Sequence, residues 1–205
     1  MTAERAETVA FGPLHIAFDG RVLRPRSWTQ AQSTWAAEII GSAPAGQVLE
    51  LCAGAGHIGL LAVLGSTRCL VCVDIDPVAC EFARQNAEAA GLTSRVEVRQ
   101  GAMDAVLREG ERFAVVIADP PWVRRDDVER FPEDPLLAID GGDDGMDVAR
   151  ICVDVARRHL LPGGVLLIQL GTVEQVDALR ELEDGLTITE VRWYDDGVLV
   201  RMDLS

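Results

Sequence analysis

The sequence has little positive charge. Its 205 residues include 19 Lys and Arg against 33 Asp and Glu, which gives a formal net charge of −14 at pH 7. A surface of this sign repels phosphate, so the basic footprint of a protein that binds RNA or DNA unaided is missing. The charge balance therefore favours a protein or a small molecule as the binding partner.

Long hydrophobic runs are lacking too. No stretch approaches the roughly 18 uninterrupted apolar residues of a membrane-spanning helix. The N-terminus carries Glu4, Arg5 and Glu7 where a signal peptide has its apolar core. Hydrophobic residues nevertheless make up 48% of the chain, which is enough for a core of its own. We therefore expect a protein of the cytoplasm.

The cysteines follow neither a disulfide framework nor a metal-ligand pattern. Their number is five, and Cys69 and Cys72 form a CxxC inside an apolar run without a second pair of ligands. We predict no metal site and interpret the cysteines as small buried residues: Cys52, Cys69, Cys72, Cys80 and Cys152.

Strand and helix patterns alternate through most of the chain. This alternation requires a mostly parallel sheet with helices on both faces, and two final strands joined by Asp195-Asp196-Gly197 add a reversed strand. The predicted fold class is therefore α/β and Rossmann-like, with seven strands. The predicted strands span residues 47–52, 69–73, 95–100, 113–117, 165–170, 186–194 and 197–204.

The N-terminal part has a different pattern. We predict a frayed end over residues 1–7, and small hairpins over residues 8–23 that cap one edge of the main fold. A helix follows from about Gln30 to Ile40 and stops at Gly41. We accordingly divide the chain into an extension, residues 1–45, and a main domain, residues 46–205.

A glycine-containing turn follows the first strand of the main domain. Gly54 and Gly56 let a ligand approach the backbone closely, and the helix that begins there offers N–H groups. The next strand ends at Asp74, the position where nucleotide-binding βαβ units carry an acid for the ribose hydroxyls. We predict a ligand site at this edge of the sheet.

The stretch Ala118-Asp119-Pro120-Pro121-Trp122 ends another strand. Proline has no N–H, so the carbonyl of Pro120 stays free to accept a hydrogen bond beside the carboxylate of Asp119. An amino group can donate to both, and Trp122 can stack on the plane that carries it. The alternative is a strand ended by a Pro-Pro turn, with Trp122 merely packing.

The acid-and-glycine turn that starts at Glu50, together with Asp74 and DPPW, resembles class I S-adenosylmethionine-dependent methyltransferases. Residues 135–147 (PLLAIDGGDDGMD), 160–164 (LLPGG) and 22–29 (VLRPRSWT) look like the HemK/PrmC family. That family methylates the side-chain amide (N5) of glutamine, characteristically in translation release factors. Residues 1–45 leave no room for the family's helical N-terminal domain, so we expect a short form.

The resemblance implies S-adenosylmethionine as cofactor and assigns roles to matching residues. Thr29 is expected at the amino-acid end of the cofactor, Asp74 at the ribose, and Ala102 with Met103 at the adenine edge. The implied cofactor residues are Thr29, Glu50, Cys52, Ala53, Gly54, Gly56, Asp74, Ile75, Ala102, Met103 and Asp119. The implied catalytic residues are Asp119, Pro120, Pro121 and Trp122.

The predicted function is N-methylation of a glutamine amide in a protein such as a release factor, with a small partner protein as an option. DPPW in place of the family's NPPY is closer to enzymes that methylate exocyclic amines, so a nucleobase or a small metabolite stays open as acceptor. A third alternative is a cofactor-binding interaction module without catalysis. Residues 123–145 are interpreted as the substrate loop, or else as a disordered insert.

Overall fold

A computed structural model describes residues 6–182 and 185–204 of the chain. Most of the frayed end predicted for residues 1–7 lies outside the described residues. The sequence also predicts a polar helix over residues 173–183, and its last residue, Glu183, lies outside the described residues as well.

A seven-stranded sheet, in the order β5-β4-β3-β6-β7-β9-β8, forms the centre of the fold. Neighbours from β5 to β7 pair in parallel, whereas β9 pairs antiparallel with both β7 and β8. The predicted α/β class is thus confirmed. The strands are β1 Glu7–Phe11, β2 Leu14–Phe18, β3 Gln47–Leu51, β4 Leu70–Asp74, β5 Val96–Gln100, β6 Phe113–Ala118, β7 Leu160–Leu170, β8 Leu186–Tyr194 and β9 Gly197–Leu204.

Helices cover both faces of the sheet, as the buried strands of a parallel sheet require. One face packs on Trp35, Ile58 and Phe82, and the other packs on Val155 and Val176. None of the helices in the described ranges has the length and apolar character needed to span a membrane. The helices are α1 Gln30–Ser42, α2 His57–Val63, α3 Pro77–Ala89, α4 Met103–Val106, α5 Leu136–Ile139, α6 Asp147–His159 and α7 Val173–Arg180.

Strands β1 and β2 form one antiparallel hairpin that is a separate sheet. The side chain of Asn86 on α3 holds it, accepting from the N–H of Ala17 at 2.7 Å and donating to its carbonyl at 3.0 Å. The hairpin thus docks on α3, which itself packs on β4 and on the edge strand β5, and its capping of one edge of the main fold stays a prediction. The expected second hairpin is a turn in which the N–H of Val22 donates to the carbonyl of Asp19 at 3.1 Å.

Other boundaries also differ from the sequence-based expectations. Helix α1 continues past Gly41 and ends at Ser42, since Ala43 precedes a proline and is extended (φ −67°, ψ 157°). Residues 123–145 are not structureless: they hold a 3-10 helix over Arg125–Arg130, helix α5 and a bridge between Val123 and Asp140. Cys69 is exposed, so its predicted burial is also wrong.

Candidate active site

Two cavities open at the carboxyl ends of β3, β4 and β6. The first has a volume of about 310 Å³ and the second about 180 Å³. Five residues line both cavities and form what we call the neck: Leu23, His57, Asp119, Pro121 and Ala138. The predicted site residues therefore divide between two adjoining compartments.

The first cavity lies above the glycine turn. Eight of the predicted cofactor residues line it: Cys52, Ala53, Gly54, Asp74, Ile75, Ala102, Met103 and Asp119. Its other walls are largely apolar and include Ala79, Leu137, Val148 and Ile151. The space is a largely apolar slot, and the acids that line it include Asp74 on β4 and Asp119 after β6.

Asp74 holds the glycine turn in place. Its Oδ2 accepts from the N–H of Gly54 at 2.7 Å and its Oδ1 accepts from the N–H of Asp76 at 2.9 Å. Gly54 has a φ of +52° and nothing within 4 Å of the point where a Cβ would stand. Burial raises the pKa of Asp74. The turn therefore has open space at Gly54 on the cavity side, and it is held by Asp74, the residue predicted to bind the ribose.

Three predicted cofactor residues lie elsewhere. Gly56 has a φ of +77°, and a Cβ there would come within 3.2 Å of the Cβ of Ala83, so this glycine lets α2 approach α3. Thr29 lines the second cavity, not the first, and its hydroxyl donates to the carbonyl of Arg26 at 2.8 Å. Glu50 lines neither cavity. Their contacts with a cofactor stay predictions.

Glu50 has a structural role next to the site. Its buried carboxylate accepts from the N–H of Gly59 at 2.8 Å and from the thiol of Cys72 at 3.3 Å. A Cβ at Gly59 would collide with this carboxylate, so the acid ties β3 to α2 through a position that requires glycine. Burial raises the pKa of Glu50 to about 7.

This buried acid makes stability depend on pH. The pKa of Glu50 rises from 4.5 to about 7 on folding, so between these pH values the folded state binds more protons than the unfolded state. The free energy of unfolding then falls as pH rises through that window, by on the order of 3 kcal/mol from this group. We expect Glu50→Gln to remove that part of the slope and to be the more stable protein above pH 7.

Urea unfolding at several pH values from 5 to 8 measures the difference between the two proteins. The exposed Glu88 on α3 provides the control, because Glu88→Gln should leave the slope unchanged. Parallel pH profiles for wild type and Glu50→Gln would contradict the assignment.

Asp119 stands at the junction of the two cavities, immediately after β6. Its Oδ1 accepts from Nε2 of Gln169 on β7 at 2.7 Å, whereas no described residue donates to Oδ2. Burial raises the pKa of Asp119 to about 7. The carboxylate therefore has one oxygen fixed by the protein and one available to a ligand.

The second cavity adjoins the DPPW stretch and is rich in aromatic rings. Pro120, Pro121 and Trp122 line it together with Trp28 and Phe131. Trp122 is held at its backbone by the amide of Gln175, which donates to its carbonyl at 2.8 Å. No described residue donates to the carbonyl of Pro120. Asp119 and Pro120 therefore each contribute an acceptor without a described donor to a cavity that is also lined by aromatic residues.

Residues 123–145 form one wall of the second cavity through Val123, Phe131, Asp134 and other residues. The carboxylate of Asp134 pairs with the guanidinium of Arg26 at 2.5 Å, which joins this segment to the N-terminal part. The interpretation of this segment as a substrate loop stays a prediction, and the structure places the segment at the wall of the second cavity. The acidic, glycine-rich run at the end of the segment has a structural role. There a Cβ at Gly141 would come within 2.7 Å of the carbonyl of Pro121.

Sequence reasoning missed two polar residues of the site. Gln169 lies in the buried strand β7, and a polar side chain within an apolar run is the signal that could have found it. His57 is the first residue of α2 and lines both cavities. Within residues 6–182 and 185–204, no group of three or more His, Cys, Asp or Glu is arranged to hold a metal ion.

Several solved methyltransferase structures share this architecture. The T. thermophilus 16S rRNA methyltransferase RsmC, in complex with AdoMet and guanosine, matches all of this chain and 52% of its own with a TM-score of 0.74 at 20% identity. A ribosomal protein L11 methylase from Lactobacillus delbrueckii matches 90% of this chain and 82% of its own, with a TM-score of 0.66 at 12% identity. The fold is that of the S-adenosylmethionine-dependent methyltransferases.

Within that class, the chain belongs to the family described as conserved hypothetical protein 95, whose profile matches residues 18–136. The release factor glutamine methyltransferase of Clostridium acetobutylicum is 29% identical over 194 residues, which are 91% of this chain and 68% of that protein. The ribosomal protein uL3 glutamine methyltransferase of Burkholderia pseudomallei is 34% identical over 145 residues, which are 65% and 46%. The resemblance to glutamine methyltransferases is confirmed, although the chain spans only part of these relatives' length.

Proposed function

We propose that this chain transfers a methyl group from S-adenosylmethionine to the side-chain amide nitrogen of a glutamine in a protein. The observation that carries the proposal is the position of Asp119, whose carboxylate lines both cavities at their junction. A group bound in either cavity therefore reaches the same carboxylate. The relatives named for release factors and for uL3 suggest a translation protein as acceptor and the cytoplasm as the place of action.

The first cavity fits the cofactor. Ile75, Ala79 and Met103 line an apolar slot for a planar base, and Asp74 can accept from two ribose hydroxyls. The open space over Gly54 leaves room for the chain that carries the sulfur. When bound, the cofactor supplies a methyl group on a positively charged sulfur, which is already activated for transfer.

The second cavity fits the acceptor. The amide N–H groups can donate to Asp119 Oδ2 and to the carbonyl of Pro120, with the Trp122 ring against the amide plane. This arrangement holds the nitrogen toward the neck, and positioning of this kind supplies much of the rate in a transfer between two bound groups. The nitrogen that receives the methyl group would lose a proton, and Asp119 can accept that proton.

Gln169 is expected to act as a positioning residue for Asp119. Its amide fixes Oδ1 and favours the ionised carboxylate. Because only the ionised carboxylate can accept a proton, the wild-type rate should rise with pH through about 7, the pKa to which burial raises Asp119. In Gln169→Leu we expect kcat about tenfold lower and the midpoint of the pH profile shifted upward, with unchanged affinity for S-adenosylhomocysteine.

Kinetics from pH 5.5 to 9 and calorimetry test this expectation. Gln85→Leu, at an exposed position on α3, is the control. A lower kcat with an unmoved pH profile would indicate a structural role for Gln169 only.

A nucleobase amine is the second candidate acceptor. The three rings of Trp28, Trp122 and Phe131 in the second cavity can also stack on a base. The net charge of −14 argues against unaided binding of nucleic acid.

Transfer of a tritiated methyl group into cell lysate, with and without ribonuclease, separates the candidates. Label that survives ribonuclease in a protein band, with mass spectrometry placing the methyl group on a glutamine, supports the proposal. Label lost with RNA supports the nucleobase alternative. Cofactor binding without any transfer would favour the interaction module.

A further inference from the structure

His57 is a buried polar residue that the proposed chemistry does not use. The residue is 9% exposed, and its ring packs edge-on against Phe11 with 4.9 Å between ring centroids. Nδ1 is enclosed and has no hydrogen-bond partner within the described part of the chain, whereas Nε2 is not enclosed in this way. Because the residue lines both cavities, Nε2 is the ring nitrogen left to face the neck.

The surroundings select one tautomer of this ring. Burial lowers the pKa of His57 to about 4, so the ring is neutral at physiological pH and carries a single N–H. An enclosed N–H without an acceptor is less tolerable than an enclosed lone pair, so the proton belongs on Nε2. The neck therefore contains an N–H donor that no described residue satisfies.

The two polar side chains of the neck are complementary to a carboxamide. Asp119 Oδ2 accepts hydrogen bonds, and His57 Nε2–H donates one. We propose that His57 is a specificity-determining residue whose Nε2–H binds the carbonyl oxygen of the acceptor amide while Asp119 binds its NH2 group. A plain amine lacks that oxygen and leaves the buried donor unpaired, which is how polar sites reject near-analogues. This inference rests on the proposed function.

NMR of the ring nitrogens tests the inference without any turnover. The chain has three histidines, His15, His57 and His159, so single variants assign a long-range 1H–15N spectrum. We expect the Nε2–H tautomer at His57 from pH 6 to 8. With saturating S-adenosylhomocysteine, N-acetylglutamine methylamide should shift its Nε2 signal and n-butylamine should not.

Three results would overturn the inference: an Nδ1–H or charged ring, no response to the amide, or a shift caused by S-adenosylhomocysteine alone that the amide does not extend. The last result would assign the donor to the cofactor. None of these NMR results depends on methyl transfer. Failure of the proposed function would instead be seen in the labelling experiment, where the wild-type enzyme would transfer no tritiated methyl group to protein.

Kinetics of two variants give an independent reading. His57→Phe keeps a ring against Phe11 but has no donor, and we expect kcat/KM for the protein acceptor to fall about tenfold with S-adenosylhomocysteine affinity unchanged. His57→Gln, which has a donor, should recover part of the loss. The exposed His15→Asn is the control, and equal kinetics of wild type and His57→Phe would contradict the assignment.

Discussion

Asp119→Ala is expected to lower the rate of methyl transfer by about 10³-fold while S-adenosylhomocysteine still binds. In the proposed reaction the carboxylate has two functions, holding the acceptor nitrogen toward the neck and accepting its proton, and each contributes orders of magnitude in comparable sites. The other residues proposed to hold the cofactor in the first cavity are unchanged, so its affinity should change by only a few fold.

Asp119→Asn tests the charge separately from the shape. The amide can still accept a hydrogen bond but cannot take up a proton at neutral pH, so we expect most of the loss to persist. Asp177→Asn removes an exposed carboxylate on α7 that pairs with Arg180, and it should behave as wild type. Full activity of Asp119→Ala in single-turnover transfer to the protein acceptor would remove Asp119 from the mechanism.

Asp74→Ala is expected to weaken S-adenosylhomocysteine binding by about 100-fold, measured by calorimetry. The substitution removes the proposed acceptor for the ribose hydroxyls and also the brace of the glycine turn, since Asp74 Oδ2 accepts from the N–H of Gly54 at 2.7 Å. Hydrogen bonds to charged groups contribute about 1.5 to 3 kcal/mol, which corresponds to tenfold to roughly 150-fold in affinity.

Asp74→Asn is a milder change at the same position. The side chain has the same shape but only one acceptor oxygen, so it can accept from the N–H of Gly54 or from that of Asp76 but not from both. We expect an intermediate loss of affinity with a melting temperature close to that of wild type. Unchanged affinity in both variants would mean that the first cavity does not hold the cofactor by its ribose.

The sequence was most informative where one element determines the position of a residue. Asp74 and Asp119 follow apolar runs, and because parallel strands end at one edge of the sheet, the two acids line one cavity as expected. The glycine turn could be located in the same way. Local pattern is sufficient here because strand, turn and helix are consecutive in the chain.

Contacts between distant segments could not be predicted. Gln169 is 50 positions from the Asp119 carboxylate that it holds, and only the pairing of β6 with β7 brings the two together. Thr29 lines the second cavity together with other residues of the segment before α1, a location that no periodicity indicates. The carboxylate of Glu50 lies against Gly59 on α2, where the missing Cβ leaves space for it. This contact depends on tertiary packing, which local sequence patterns do not reveal.

A crystal structure of the chain with S-adenosylhomocysteine tests the central claim most directly. We expect the ribose hydroxyls within hydrogen-bond distance of Asp74 in the first cavity and the sulfur directed through the neck toward Asp119. The ligand in the second cavity, or a sulfur turned away from the neck, would contradict the claim that Asp119 is where cofactor and acceptor meet.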